Sequence, residues 1–120
     1  MKKIIFPLTF ISLLHSQVPL AGEFGDMTYG PGVATCEQWV AERQVGKERK
    51  RIQAYQIESW VQGYISGITI VLAINKVPNL AETSSEAMFT WMDKECEENP
   101  QKSIAFAALG LAVAMGLEIQ

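Results

Sequence analysis

Gln56–Lys76, QIESWVQGYISGITIVLAINK, is the stretch whose reading decides the fold. Ile57, Trp60, Val61, Tyr64, Ile68, Val71 and Leu72 recur at three- and four-residue steps, the spacing of one face of an α-helix. At about 1.5 Å per residue such a helix is roughly 30 Å long, enough to cross a small domain. Gly63 and Gly67 lie one turn apart within it. Each costs ~1 kcal/mol against Ala, so another helix is expected to approach closely on that side. The same spacing marks transmembrane dimers, but Glu58, Gln62, Ser66, Thr69 and Asn75 interrupt the apolar character. The apolar part also falls short of the ~20 residues that a span needs. The expectation is a core helix of a soluble protein.

Upstream, Lys2 and Lys3 precede the uncharged apolar run Ile4–Leu14, and His15–Ala21 then turns polar and ends in small residues. This is the layout of a secretory signal peptide. Residues 1–21 are read as that peptide, 22–34 as a flexible leader and 35–120 as one helical domain. Cutting after Ala21 puts Pro19 at the third position upstream, so Ser16 and Gly22 are other candidate edges. The 11-residue run is too short to stay behind as a comfortable anchor, so no stable membrane span is expected after processing. Loss of Lys2 and Lys3 leaves eight basic residues against thirteen acidic ones, moving the net charge from −3 to −5.

Export also removes His15, the one histidine. Ser–His–Asp and Cys–His hydrolase arrangements need an imidazole, and so do His-containing zinc sites. No enzyme, cofactor or metal site is expected. Cys36 and Cys96 lack C-x-x-C spacing, and an even, small number of cysteines in an exported chain reads as a disulfide. Closing a loop of about 60 residues stabilises by roughly 4 kcal/mol on the chain-entropy argument.

Gly22–Val33 has four glycines, a proline and no apolar period, which predicts a flexible leader or irregular arm. Thr35 opens the first helix with a capping box, T-C-E-Q, and Cys36, Trp39, Val40 and Arg43 share its inner face. Gly46 ends it. The basic run Lys47–Arg51 has no interleaved aromatics and reads as a solvated connection, so no nucleic-acid partner is expected. Pro78 and Asn79 break the chain after the central helix. A second capping box, T-S-S-E from Thr83, begins a third helix with Met88, Met92 and Cys96 on one ridge. Asp93, Glu95, Glu97 and Glu98 crowd its end, where Lys94 or Lys102 can pair with them. Asn99 and Pro100 are read as N-cap and first position of a fourth helix. Ile104–Leu117 is apolar or glycine throughout, so part of its surface is expected to be shared with a second subunit. The resulting fold class is all-α: a small four-helix bundle stapled by one disulfide.

The pattern C…W…G-Y-x-x-G…W-x-x-x-x-C-x-x-N-P-x-x-x-x-x-x-A-A, carried by TCEQWVAER, WVQGYISG and FTWMDKECEENP, resembles a widespread set of bacterial periplasmic helical proteins. It is similar to the Rap/Tai-type immunity proteins that neutralise peptidoglycan amidases of type VI secretion. It is more loosely similar to the acid-stress chaperones of the Hde type in size, signal peptide, disulfide and helical fold. The resemblance covers Thr35 to the C-terminus. It rests on scaffold residues, so no partner-contacting residue is carried over.

It implies a periplasmic protein-binding module, an immunity or inhibitor protein that neutralises a cell-wall hydrolase by loop insertion. The alternative is an acid-stress periplasmic chaperone. The candidate insertion loop is Lys76–Glu82, with Lys76, Val77, Pro78, Asn79 and Leu80 as partner-binding residues. A homodimer is expected through Ala108, Ala112 and Met115 of the last helix.

Overall fold

The computed structural model describes residues 28–45 and 52–119. The signal-peptide reading, Gly46 and the basic run at 47–51 lie outside them. Among the described residues, four helices follow a short 3-10 turn at Gly30–Val33: α1 (Cys36–Val45), α2 (Ile52–Ile74), α3 (Ser85–Glu98) and α4 (Ile104–Ala114). The all-α bundle and the Cys36–Cys96 disulfide are both present, and the two cysteines are fully buried with Cα atoms 4.6 Å apart.

The four helices begin and end by different devices. Thr35 Oγ1 accepts from the Gln38 N–H at 3.4 Å, the capping contact that T-C-E-Q predicts. The next free donors of α1 are met from a distance. Cys36 N–H donates to Lys102 O at 2.7 Å, Glu37 N–H to Pro100 O at 2.9 Å, and Ile104 N–H returns to Ala34 O at 2.8 Å. The α3–α4 connection therefore caps α1. This displaces the start of α4 from Asn99–Pro100, because carbonyls turned toward α1 cannot begin the α4 ladder. Asn99 instead closes α3, its backbone and side-chain N–H groups both donating to Glu95 O. Ser103 becomes the N-cap of α4, accepting from Phe106 N–H at 3.1 Å. The start of α3 also moves by one residue: Ser84, not Thr83, accepts from Ala87 N–H at 3.1 Å. Serine outranks threonine as an N-cap, and T-S-S-E offers both.

Two helices end in Schellman turns. After α2, Val77 N–H donates to Leu72 O and Lys76 N–H to Ala73 O, with Lys76 at φ 55°. After α4, Leu117 N–H donates to Ala112 O and Gly116 N–H to Val113 O, with Gly116 at φ 111°, where glycine has no Cβ to strain.

The core joins Trp39 of α1, Ile57, Val61 and Ile65 of α2, Met92 of α3, and Ile104, Ala107 and Leu111 of α4. Burying Trp39 alone withdraws some 150–250 Å² from water, worth on the order of 4–6 kcal/mol before entropy is charged against it. The small side chains of α4 let neighbours approach, so Ala107, Ala108 and Ala112 are 0% exposed within one chain. Ala108 and Ala112 thus cannot carry a contact between subunits, and Met115 packs against the same core. The apolar character of α4 is consumed largely inside the protomer.

The central helix behaves the other way. It runs 23 residues and, by length and composition, is sufficient to cross a membrane, yet only 22% of its most apolar window is buried. Val71 is exposed although its spacing placed it on the core face. Gly63 and Gly67 face open space: a Cβ at either would meet nothing within 4 Å. Among the described residues no helix approaches them, because α2 turns its Ala54–Ile57–Val61–Ile65 edge inward and these glycines outward. Glu58, on the inward side, ties α2 to the domain through an ion pair with Arg43.

Candidate functional site

Three features of the surface and interior are built rather than incidental. The first is the connection after α2. Residues 77–84 have no regular structure but are held at four points. The Schellman turn fixes Lys76, Leu80 is 9% exposed and belongs to the core, Ala81 N–H donates to Met115 O at 2.8 Å, and Ser84 caps α3. Between these anchors Val77, Pro78, Asn79, Glu82 and Thr83 stand exposed. Of the five residues predicted to bind a partner, Lys76, Val77, Pro78 and Asn79 are accessible. Leu80 is not: it is buried in the core cluster, since an apolar side chain in a short loop gains more by packing inward than by waiting for a partner.

The second feature is a polar network that sequence reading missed. Arg43 forms a two-pronged pair with Asp93, Nε to Oδ1 at 2.9 Å and a terminal guanidinium nitrogen to Oδ2 at 2.8 Å. Its other terminal nitrogen reaches Glu58 Oε1 at 2.8 Å, and Trp39 Nε1 donates to Asp93 Oδ1 at 2.8 Å. The guanidinium also lies 5.4 Å from the Phe89 ring centroid and 5.9 Å from that of Trp39. Hydrogen bonding to Asp93 first, with Glu58 adding to it, raises the Arg43 pKa despite the opposing effect of burial. The network joins α1, α2 and α3. Its groups are engaged with one another, so the arrangement clamps helices and offers no poised general acid or base. One carboxylate inside an otherwise uncharged helix, Glu58, was the sequence signal for it. At the end of α3, Glu95 pairs with Lys102 and with the Asn99 side chain.

The third feature is an aromatic platform. Trp60 and Tyr64 stack with centroids 5.2 Å apart, and Trp60 Nε1 donates to Tyr29 O at 2.8 Å. Gly32 lies flat on the Trp60 ring, where a Cβ would come within 2.1 Å of it. Residues 28–34, predicted to be part of a flexible leader, are therefore packed against α2. Gly32 serves close approach to the indole, while Gly30 takes a positive φ of 72° that glycine adopts without strain. Burial raises the Tyr64 pKa above the ordinary tyrosine value. Pro31, Ile52, Gln56, Ser59 and Trp60 line an open groove beside this platform.

Among the described residues, no group of three or more metal-ligating side chains comes together. Comparison of the chain with protein-family models, with curated proteins and with solved structures gives no match. The functional reading therefore rests on the residues and their geometry.

Proposed function

We propose that this chain is a periplasmic protein-binding module, an immunity or inhibitor protein that neutralises a cell-wall hydrolase through the connection after α2. A buried disulfide is compatible with an oxidising, extracytoplasmic compartment. The observation that carries the reading is the bracing of that connection at Lys76, Leu80, Ala81 and Ser84, with Val77, Pro78 and Asn79 exposed between the anchors. A loop held this way enters a groove with little conformational freedom left to lose, and Pro78 restricts it further. Leu80 acts as the anchor, and Val77 is the apolar side chain presented.

The test is affinity capture of the oxidised protein from its own cell envelope, followed by inhibition of whatever it retains. One hydrolase at equimolar ratio supports the proposal, together with at least tenfold weaker binding by Val77→Asp/Pro78→Gly at an unchanged melting temperature. Many sub-stoichiometric clients, captured better in acid, would move the assignment to an acid-stress chaperone. A captured hydrolase indifferent to the loop variant would place the binding surface elsewhere.

A further inference from the structure

The outward face of α2 is patterned for contact. Ile52, Ser59, Gly63, Gly67, Ile70 and Ile74 recur along it at helical steps, and all six are exposed. Glu58 is the one charged residue of α2, and it lies on the opposite, buried side, paired with Arg43. A solvated helix face normally carries charges; this one carries none. The whole chain has a formal net charge of −3, so two copies repel through most approaches. Across this face they meet with no like charges opposed.

The face is also self-complementary about Gly63. Ile52 and Ile74 lie eleven residues to either side of it, Gln56 and Ile70 seven, and Ser59 and Gly67 four. At one end, Pro31 rises beside Ile52, Gln56, Ser59 and Trp60 to wall an open groove of about 750 Å³. At the other end Ile70 and Ile74, 59% and 73% exposed, form a ridge. The waist between them is small, and a Cβ at Gly63 or Gly67 would meet nothing within 4 Å among the described residues. A two-fold axis through Gly63 lays the ridge of each copy into the groove of the other, the self-matching that an isologous interface requires.

We propose that two copies of this chain pair through α2, antiparallel, with the helices crossing at Gly63. Ile52, Ile70, Val71 and Ile74 leave on the order of 500 Å² of their own surface open, and the residues between them bring the face toward the ~800 Å² per partner of a stable interface. The pairing is independent of the loop after α2 and stands whether or not that loop holds a hydrolase.

The experiment uses the exported, oxidised protein. Sedimentation equilibrium should give a dimer, and Gly63→Leu should weaken it by about thirtyfold while the far-ultraviolet spectrum of the monomer is retained. Gly63→Cys, placed on the axis, should yield a disulfide-linked dimer under mild oxidation. Val113→Cys, on the exposed side of α4, should not. A monomer at several hundred micromolar overturns the proposal, as does cross-linking at Val113 equal to that at Gly63. So does a monomer that partitions into neutral phosphatidylcholine vesicles in place of pairing, which would assign the face to lipid.

Discussion

Arg43 is the side chain through which three helices are tied, and its value lies in geometry as much as in charge. Arg43→Met removes the fork from Asp93 and the counter-charge from Glu58, which is 6% exposed. Breaking a buried pair from one side costs on the order of 3 kcal/mol, trimmed here because Asp93 and Arg43 are partly solvated. Arg43→Lys keeps the charge but loses the planar fork, so it should fall between the two in urea midpoint. Tyr64 gives a pH dependence. Its folded pKa is raised by burial above the unfolded value of 10.0, so the native state holds its proton longer than the unfolded state does. This contribution is complete below pH 10 and is lost as pH rises through the folded pKa. Melting temperatures from pH 8 to 11.5 should therefore fall less steeply above pH 10 for Tyr64→Phe than for the parent protein.

At the scale of the element, the ends of the helices carry the information that distinguishes this bundle from a generic one. Ser84→Ala removes the acceptor for Ala87 N–H and should cost ~1 kcal/mol, whereas Thr83→Ala should be almost neutral. Calorimetry of the pair settles which hydroxyl caps α3, and equal losses would restore Thr83. Both capping boxes were legible as motifs, and one was placed a residue early. Asn99–Pro100 was the more instructive error. The dipeptide has the composition of a helix start, but α1 recruits the carbonyls of Pro100 and Lys102 and pushes α4 on to Ile104. Such long-range capping leaves no mark in the local sequence of either helix.

For the whole molecule, the Cys36–Cys96 bridge joins the first turn of α1 to the last turn of α3 across 60 residues. Constraint of the unfolded chain accounts for roughly 4 kcal/mol, a large share of the 5–15 kcal/mol available to a domain of this size. Reduction under native conditions should lower the denaturant midpoint by at least a third, read by circular dichroism with and without dithiothreitol. An unchanged midpoint would mean that the Arg43 network and the α4 core suffice. Ile65, Ile68 and Leu72 hold the C-terminal half of α2 on the core, while Gly67, Ile70 and Ile74 on its outer face and Val77, Pro78 and Asn79 in the following loop are exposed.

The sequence by itself determined four helices, the cysteine pair and the inner ridges of α1 and α3, because amphipathic spacing and cap residues are local signals that each helix carries alone. Tertiary structure decided which way the ambiguous surfaces turned. α4 is apolar on nearly every side, so its spacing holds no orientation, and packing sent Ala108 and Ala112 inward. α2 has glycines that could face a neighbour in the same chain or in another. The inward pull of Ile57, Val61 and Ile65, reinforced by Glu58 reaching Arg43, turned those glycines to the outside. Leu80 and residues 28–34 were resolved the same way: a loop and a glycine-rich arm each found an apolar site that exists only once the helices are assembled.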